Sequence, residues 1–383
     1  MEHLDRLKLL SSEMHLEADG HEPLVCEPVI SPEKLKNIPI SEAQMPNGKR
    51  IKLLKTMVTS ACERNCYYCP FRAGRDLRRA TFKPEELAHT FLKLHKAQQV
   101  EGMFLSSGII GGGMRTQDKL LDTADILRNK LGYRGYLHLK IMPGAERAQV
   151  ERAMQLASRI SINLEAPNTK RLQALAPLKM FTEELLQPLK WAEEIRQNQA
   201  PYRTWNGRWP SSTTQFVVGA VGESDLELLA TSEYLIRQAS LKRVYFSAFS
   251  PIQDTPLENH TPTDPLRQHR LYQSSYLLRD YGFSLEDMPF DPSGNLPLGE
   301  DPKLAWAKSS LQHAPVEVNR ANRQQLLQIP GIGPKGATAI LNARRTGNLR
   351  ELGDLNKLGI IAKRAAPFIL LDGKRPAYQL QML

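Results

Sequence analysis

The sequence contains few cysteines and no long apolar segment, and each shortage disfavours a class of protein. Only four cysteines occur among its 383 residues, so a fold held together by a framework of disulfides is disfavoured. No run approaches the roughly 18 consecutive apolar residues of a membrane-spanning helix. The first residues, Met1 to Arg6, lack the cationic and then apolar pattern of a secretory signal. We therefore expect a cytoplasmic protein with no membrane partner.

Acidic residues are scarce in the last part of the chain. The formal net charge of the whole sequence is +10. From Val316 onward, eleven basic residues stand against four acidic ones, which gives this segment a net charge of +7. A small basic module predicts a polyanionic partner, although a solvated basic surface would have the same composition.

Three of the four cysteines lie within eight positions, in Cys62-Glu-Arg-Asn-Cys66-Tyr-Tyr-Cys69. Thiolates this close in one loop are well placed to bind a soft metal centre, and they require a reducing compartment. A structural zinc site and a fully protein-ligated iron–sulfur cluster each take four protein ligands. Three thiolates on a four-iron cluster instead leave one iron open for a reactive ligand. The alternatives are a zinc site completed by His89 or His95, and a disulfide.

From residue 51 to about residue 250, segments typical of strands and helices alternate six times. The predicted strands are 51–58, 102–105, 135–141, 159–164, 213–218 and 243–246, and the predicted helices are 84–98, 116–130, 146–156, 182–198 and 224–238. Such alternation indicates an α/β fold with parallel strands joined by crossover helices. Six units are fewer than the eight of a closed barrel. Parallel β/α folds place their chemistry at the carboxyl ends of the strands, and the cysteine loop directly follows the first strand.

The spacing Cys-x3-Cys-x2-Cys, with Tyr68 before the last cysteine, resembles the signature of the radical S-adenosylmethionine (SAM) superfamily. The resemblance implies an open six-stranded (βα)6 partial TIM-type barrel, with a [4Fe–4S] cluster on Cys62, Cys66 and Cys69 and with SAM as the second cofactor. It also implies reductive cleavage of SAM to a 5′-deoxyadenosyl radical, with an electron from a donor such as flavodoxin or ferredoxin. Tyr68 would lie in the cofactor site.

The same resemblance assigns contacts with SAM to the ends of the second and third strands. Ser106, Ser107 and Gly108 stand where the family has a Gly-Gly-Glu-like motif that binds the amino group of the methionine moiety. The acidic residue of that motif is absent here, and a plain turn is the alternative. Lys140 shares a strand face with His138, and it either pairs with the SAM carboxylate or faces solvent.

The fourth predicted strand places Ser161, Asn163 and Glu165 on one face, by the period of two. Three inward polar residues are costly unless they bind something, and in the resembling enzymes this strand contacts the ribose and the methionine of SAM. Asn163 and Glu165 are therefore candidate SAM ligands. By their order along the chain, Gly219 after the fifth strand and Phe249 after the sixth are assigned to the adenine.

The segment 316–345 is predicted to form two short amphipathic helices around Pro330-Gly-Ile-Gly333, with Asn319 as the N-cap of the first. It closely resembles a competence-type helix-hairpin-helix, a module that binds the DNA backbone regardless of sequence, and 358–364 resembles a weaker second copy. The helix after the hairpin would offer N–H groups and its positive dipole end to a phosphate. A hairpin that binds another protein is the alternative. The candidate DNA contacts are Gly331, Ile332, Gly333, Lys335, Gly336, Arg344, Arg345, Lys363 and Arg364.

Two further stretches, 71–79 and 202–209, interleave basic residues with aromatic ones. Such stretches suit phosphate contacts and base stacking, and both are predicted to lie near the mouth of the barrel. Solvated loops would show the same pattern.

The predicted domains are an N-terminal extension (1–50), a radical SAM core (51–250), a covering extension and linker (251–315), and a helix-hairpin-helix domain (316–383). This combination resembles radical SAM proteins assigned to DNA modification or repair, which implies an enzyme that acts on duplex DNA. A single-cluster radical SAM enzyme that modifies RNA is the main alternative. Methylthio transfer would need a second cluster, and only Cys26 remains; this residue is either an inert thiol or a hydrogen-atom donor. A helix-hairpin-helix DNA glycosylase and a non-catalytic iron–sulfur DNA-binding protein are more remote alternatives.

Overall fold

The computed structural model describes residues 3–12, 14, 40–44 and 48–377, so the predictions for Cys26 fall outside the described residues. The chain divides into two compact units. The first comprises Met1–Glu223 and Tyr234–Thr263, and the second comprises Ser224–Glu233 and Asp264–Leu383. Within the described ranges, no helix has the length and apolar character needed to cross a membrane.

The first unit is built on a sheet of seven strands that lie side by side in chain order. The strands are β1 (Ile40–Gln44), β2 (Arg50–Met57), β3 (Gly102–Ser106), β4 (Tyr136–Lys140), β5 (Arg159–Ser161), β6 (Ser211–Val218) and β7 (Arg243–Ala248). Strand β1 pairs antiparallel with β2, and every later pairing is parallel. Among the described residues no pairing joins β7 to β1, so the sheet is open.

The predicted alternation of parallel strands and helices is confirmed, but the predicted count of six strands is wrong. The additional strand is β1, which the sequence analysis had included in the N-terminal extension. Its sequence, Ile-Ser-Glu-Ala-Gln, has only two apolar residues and lacks the alternation that marks a half-buried strand. No sequence pattern marks this strand, and its antiparallel pairing with β2 is seen only in the folded sheet.

Helices connect successive parallel strands. They are α1 (His3–Ser12), α2 (Pro84–Lys96), α3 (Gly113–Asp125), α4 (Arg147–Leu156), α5 (Thr169–Leu175), α6 (Gln187–Asn198) and α7 (Asp225–Gln238). Several of them pack side by side: α1 on α2, α2 on α3, α3 on α4, and α4 on α6. In α2, proline stands in the first turn, two glutamates follow it and basic residues occupy the last turn, an order that complements the helix dipole. This helix buries Leu87, Phe91 and Leu94, which share one face by their spacing of three to four residues.

The strand register brings the carboxyl ends of the strands together at one edge of the sheet. Met57 pairs with Ser106 across β2 and β3, and Ser161 pairs with Lys140 on one side and with Thr213 on the other. Directly paired residues share a sheet face. The loops that leave β2, β3, β5, β6 and β7 at this edge carry most of the candidate site residues.

The second unit is mainly helical, with one short two-stranded sheet. Its remaining elements are α8 (Pro265–Asp280), α9 (Pro302–Ser310), β8 (Val316–Glu317), α10 (Arg323–Gln328), α11 (Pro334–Ala343), α12 (Leu352–Lys357), α13 (Ala362–Ala365) and β9 (Ile369–Leu370). Side chains from α10 to α13 share a core that includes Leu326, Ile332, Ile340 and Leu355. The sequence therefore folds into two helix pairs, α10–α11 and α12–α13.

The start of α10 differs from the prediction by three residues. Asn322, and not Asn319, is its N-cap, and the Asn322 side chain accepts a hydrogen bond from Gln325 N–H at 2.9 Å. Asn319 instead exchanges two hydrogen bonds with the backbone of Leu349, each 2.9 Å long. Both asparagines suit a cap chemically, and the tertiary contact with Leu349 engages the first of them.

Candidate functional site

The cysteine loop begins directly after β2, and its two ends are tied together at its base. Ser60 N–H donates to Ala80 O at 3.0 Å, and Ala80 N–H donates back to Ser60 Oγ at 3.0 Å. The guanidinium of Arg79 donates to three carbonyls of the loop, those of Ser60 (2.5 Å), Phe71 (2.8 Å) and Arg72 (2.9 Å). These bonds satisfy backbone groups that would otherwise be unpaired and give the loop a fixed shape.

The basic stretch 71–79, predicted to contact nucleic acid, therefore supports the loop from within. Besides Arg79, the Arg75 side chain donates to Pro70 O at 2.6 Å. Two of its arginines are thus engaged with the backbone of the loop itself. A phosphate contact remains a prediction for the half-buried Arg72 and the exposed Arg78.

The three thiols of the loop are free. Cys66 is buried, and Cys62 and Cys69 are half-buried. Burial raises the pKa of the Cys66 thiol, although the positive charge of Lys179 works in the opposite direction. Burial, and then the neighbouring Cys66, also raise the pKa of Cys69. A bound metal cation would reverse these shifts, because metal coordination takes the thiolate form.

In the part of the chain that the structure describes, no three His, Cys, Asp or Glu side chains form a group that could hold a metal ion. His89 and His95, the alternative fourth ligands of a zinc site, lie on α2. Their Nδ1 atoms are hydrogen-bonded to the carbonyls of Glu85 (2.8 Å) and Val100 (2.9 Å) respectively.

The loop after β3 packs directly against the cysteine loop at Gly108. A Cβ atom at this position would overlap Ala61 O and would lie 3.2 Å from Cys62 Cβ, so only glycine permits the approach. Gly108 N–H donates to Thr59 O at 2.7 Å, and Ile109 N–H points to Cys62 Sγ at 3.4 Å. Backbone N–H groups directed at a cysteine sulfur stabilise its thiolate form and tune a metal that it binds.

Glu165 lies beyond the end of its strand in a left-handed backbone conformation. Strand β5 ends at Ser161, and Glu165 has φ of 65°. The prediction that Ser161, Asn163 and Glu165 share a strand face is therefore wrong, because the chain leaves the regular strand after Ser161. Glu165 is instead fixed by backbone bonds to β6, from its N–H to Gln215 O (3.0 Å) and from Val217 N–H to its carbonyl (2.8 Å).

The carboxylate of Glu165 forms a buried ion pair with Lys179. The Nζ–Oε1 distance is 2.9 Å, and the two side chains are 9% (Lys179) and 4% (Glu165) exposed. Burial by itself raises the pKa of Glu165, but the ammonium groups of Lys179 and then Lys140 bring it below its ordinary value. Burial likewise lowers the pKa of Lys179, but Cys66 and Glu165 together raise it above its usual range. At neutral pH both groups are charged.

The other side of this carboxylate faces Tyr68. Burial, and then the negative charge of Glu165, raise the pKa of the Tyr68 hydroxyl well above its ordinary value. A hydrogen bond from Tyr68 also helps to lower the pKa of Glu165, although no described donor meets strict hydrogen-bond geometry at Glu165 Oε2. Tyr68, predicted as a cofactor contact, is thus placed with Glu165 beside the cysteines.

The remaining predicted contacts lie at the same sheet edge. Ser106 is buried at the end of β3, and Ser107 is buried with its hydroxyl donating to Gly108 O at 2.7 Å. Lys140 is buried at the end of β4 and lies close enough to Glu165 to lower its pKa. Asn163 is half-buried, and its Nδ2 donates to Gln215 Oε1 at 3.3 Å.

Gly219 and Phe249 follow β6 and β7 and are joined through one network. Gly219 has φ of 88°, and a Cβ there would overlap the Thr263 hydroxyl. Thr263 and Phe249 both bond to Val218 O, through the hydroxyl at 2.7 Å and through the backbone N–H at 2.9 Å. The carboxylate of Glu223 accepts from Gly219 N–H and so closes the turn.

The stretch 202–209 does not lie at the mouth, contrary to the prediction. It precedes β6, and loops that enter strands lie at the edge opposite to the one that carries the cysteine loop. Trp205 Nε1–H donates to Ala157 O at 3.0 Å, and the Arg128 guanidinium stacks 3.9 Å from its ring. Trp209 Nε1–H donates to Gln199 O at 3.0 Å. Both indole N–H groups therefore bond to backbone carbonyls of this chain and pack the stretch against the protein.

The loop between α10 and α11, here called the hairpin, has a backbone that only glycine fits. Gly331 has φ of 85°, and a Cβ there would lie 2.6 Å from Ile361 O. The N–H groups of Gly331 and Gly333 donate to no acceptor among the described residues. The first N–H groups of α11 lack intrahelical partners, as in every helix. The hairpin thus offers several backbone donors to a ligand.

Of the nine residues predicted to contact DNA, Gly331 and Gly333 belong to the hairpin turn, and the other seven separate into two groups. Lys335, Arg345 and Lys363 are exposed. Arg344 is instead half-buried and donates to Val318 O (3.1 Å) and Ala321 O (2.6 Å), and Arg364 pairs with Asp301. Gly336 and Ile332 pack inside the helical unit, where a Cβ at Gly336 would lie 3.1 Å from Ile360.

Lys179 is the residue that sequence reasoning missed. It stands in a turn after α5 that shows no periodic pattern, and its partner Glu165 is 14 positions away. An unassigned lysine close to a candidate carboxylate in the sequence was the only available signal, and many surface lysines meet that description.

Comparison with known proteins found likenesses among solved structures only. No family model matches the chain, and no curated protein matches it. The structure is similar to the FeFe-hydrogenase maturase HydG from Carboxydothermus hydrogenoformans, with a TM-score of 0.45, 15% identity, and coverage of 59% of this chain and 51% of that chain. It is also similar to methylornithine synthase (PylB), with a TM-score of 0.47, 15% identity, and coverage of 59% and 61%.

A radical SAM methyltransferase from Sphaerobacter thermophilus is similar over a longer stretch. The TM-score is 0.45 with 12% identity, over 70% of this chain and 78% of that chain. The chain spans only about half the length of HydG and about three-fifths of PylB. The functional assignment therefore depends on the residues of the site.

Proposed function

We propose that this chain is a radical SAM enzyme that carries a [4Fe–4S] cluster and acts on DNA. One observation carries the proposal: three free thiols share one loop at the carboxyl edge of an open parallel sheet, beside a buried ion pair. Parallel β/α folds bind ligands at this edge. Burying two charges together is costly in desolvation, and groups with strongly perturbed pKa values concentrate at functional sites.

The donor types in the loop suit a cluster held by Cys62, Cys66 and Cys69, although no group of the described residues is arranged to hold a single metal ion. The donor set is three thiols, the ligand type that iron–sulfur clusters take. Ile109 N–H is directed at Cys62 Sγ, and the positive charge of Lys179 favours the thiolate of Cys66. When bound, such a cluster supplies an open iron and an electron for reductive cleavage of SAM to methionine and a 5′-deoxyadenosyl radical.

The protein's own part is to bind and orient SAM. Glu165, with Oε2 unbonded by any described donor, is suited to accept a hydrogen bond from the amino group of the methionine moiety. Lys140 brings a positive charge to the same edge for the carboxylate of that moiety. The turn at Gly219 and the buried Phe249 provide backbone groups and an apolar surface for the adenine.

DNA is proposed as the substrate because of the hairpin and the charge around it. The hairpin offers backbone N–H groups at the start of α11, next to exposed Lys335 and Lys363. Such groups bind phosphates without reading bases. A module of this kind would hold the duplex while the first unit performs the chemistry.

Anaerobic reconstitution followed by a binding series tests both parts of the proposal. We expect about four irons per chain, as the three-thiolate cluster requires. Duplex DNA should bind with an affinity that falls steeply as salt is raised. Stoichiometric zinc without iron would contradict the cluster. A much tighter affinity for structured RNA than for duplex DNA would replace the substrate with RNA.

A further inference from the structure

The second unit contains a groove of about 500 Å³ beside the hairpin. Its walls are formed by Tyr276 and Tyr281 at the end of α8, by Lys303 on α9, by Arg364 on α13 and by residues 331–334. The groove combines two aromatic rings with two cationic side chains. Its volume lies within the usual range for sites that bind small molecules.

Lys303 is a half-buried cation in this groove. Its ammonium group donates to Ile332 O at 2.7 Å and lies 4.7 Å from the centroid of the Tyr281 ring. These partners are neutral, and the one carboxylate that acts on Lys303, that of Asp301, does so through space and not as an ion pair. A half-buried charge without a counter-ion is poorly stabilised.

The carboxylates that line the groove are already engaged elsewhere. Asp280 is held by Arg279 through two hydrogen bonds of 2.9 and 2.6 Å. Asp301 accepts from Leu304 N–H at 2.9 Å as the N-cap of α9 and pairs with the exposed Arg364. These carboxylates form no ion pair with Lys303, so a bound anion would supply the counter-charge of its ammonium form.

We propose that this groove binds a nucleotide, with its phosphate at Lys303 and its base against Tyr276 and Tyr281. A phosphate supplies the missing negative charge, and aromatic side chains stack on any base. The choice of a nucleotide rests on the nucleic-acid function proposed above, whereas the need for an anion does not. The nucleotide belongs either to a strand held at the hairpin or to the free pool, and the two share this chemistry.

The groove makes nucleotide binding depend on pH. Burial lowers the pKa of Lys303 to about 7, although Asp301 opposes this and Arg364 adds to it. Asp280 and Tyr281, from α8, complete the ionisable surroundings. A bound phosphate stabilises the ammonium form, so binding takes up a proton when the free groove is neutral at Lys303. The affinity should fall as pH rises from about 6 to about 8.

The test uses the full-length protein with two probes, a short single strand containing 2-aminopurine and free AMP. Lys303→Met removes the charge and keeps an apolar stem, and it should lower the affinity at pH 6.5 by at least about tenfold. For the strand, whose phosphodiesters do not titrate between about pH 6 and 8, it should also abolish the pH dependence; AMP has a phosphate that titrates in this range and is used at one pH only. Lys308→Met, on the exposed side of the same helix, should leave both unchanged. Tyr276→Leu should reduce the quenching of 2-aminopurine, because a stacking surface is lost.

The probes separate this inference from the proposed function. If free AMP displaces the strand, the ligand comes from the free nucleotide pool. If the strand binds and AMP does not, the ligand is part of a nucleic acid. If wild type and Lys303→Met bind both probes with equal affinity, the groove is not a nucleotide site, even if duplex binding is intact. AMP binding that depends on Lys303 supports the groove even if the protein binds no duplex.

Discussion

The cysteine loop, against which Gly108 packs, and the hairpin, which turns at Gly331, both need a glycine and both present groups to a ligand. Their charges, however, are placed in opposite ways. Around the loop the charges are buried and paired, as in Glu165 and Lys179. Around the hairpin the outward charges are exposed, as in Lys335 and Lys363. The loop is also tied by side chains to carbonyls along its length, whereas hairpin N–H groups remain available.

This difference predicts how strongly single substitutions will affect each region. A buried pair is costly to break, because the remaining charge is left without a partner in a poorly solvated site. Exposed charges contribute little one at a time and are screened by salt. We therefore expect single substitutions to have large effects near the cysteine loop and small effects around the hairpin, except where backbone geometry is involved.

The largest effect is expected for Cys66→Ala. Removing one of three thiolates should eliminate nearly all the iron bound after anaerobic reconstitution, because two thiolates are too few to retain a cluster. Cys26→Ala serves as the matched control and should retain the iron. Iron and sulfide assays on the three proteins decide the matter, and normal iron in Cys66→Ala would refute the assigned ligands.

Next in size is the loss of the buried ion pair. Lys179→Met should lower the free energy of unfolding of the metal-free protein by about 3–5 kcal/mol, because Glu165 is left charged and unpaired. Lys170→Met, at an exposed position on α5, should change it by less than about 0.5 kcal/mol. Urea unfolding at pH 7 measures both.

The pair should also give the stability a defined pH dependence. The pKa of Glu165 is held below its ordinary value, so its contribution is present above the unfolded pKa and is lost as pH falls through the folded one. The difference between wild type and Lys179→Met should therefore shrink in acid. An equal difference at every pH would mean that the pair is not what Lys179 stabilises.

At the hairpin, the largest effect is expected for a substitution that disturbs the backbone. Gly331→Ala forces a Cβ towards Ile361 O at a positive φ, which should cost about 2 kcal/mol of stability and weaken duplex binding. At Gly347 a Cβ meets nothing within 4 Å and φ is not positive, so Gly347→Ala is the matched control. Similar duplex affinities for the two variants would remove the hairpin from the DNA-binding surface.

A smaller change is expected in the binding of SAM when Glu165 is altered, a substitution that also removes the partner of Lys179. Glu165→Gln keeps the shape of the side chain and removes its charge, so SAM should bind about tenfold more weakly, by about 1.4 kcal/mol. The iron content should stay that of wild type, because Glu165 is not a proposed metal ligand. Equilibrium binding of SAM to both proteins is the measurement, and unchanged affinity would assign Glu165 a structural role.

The smallest effect is expected for a single exposed lysine. Lys335→Met should weaken duplex binding by less than tenfold and reduce the slope of log affinity against log salt by about 0.9, the value for one phosphate contact. A loss larger than that of Gly331→Ala would reverse the comparison between backbone and side-chain contacts at the hairpin.

Local patterns in the sequence predicted much of this structure. The parallel strands follow from the alternation of apolar runs and amphipathic helices, and the cysteine loop follows from its spacing. Strand β1 was missed because five residues with two apolar ones carry no pattern. Glu165 was found for the wrong reason, since its backbone is not strand-like.

Tertiary contacts account for the remaining differences. Lys179 reaches Glu165 through a turn that no periodicity marks, and Arg79 contacts the backbone of the loop although its neighbours in the sequence favour a phosphate site. Such partners depend on how distant segments meet. A single sequence shows the residue types at these positions but does not show the pairs that they form.

The central claim is that the cysteine loop and the buried pair form a site for reductive SAM cleavage. The most direct measurement is the release of 5′-deoxyadenosine from reconstituted full-length protein, with SAM and a strong reductant under anaerobic conditions. We predict release by wild type and by Cys26→Ala, slower release by Glu165→Gln at low SAM, and none by Cys66→Ala. An iron-loaded wild-type protein that binds SAM and releases no 5′-deoxyadenosine, or equal release by Cys66→Ala, would contradict this account.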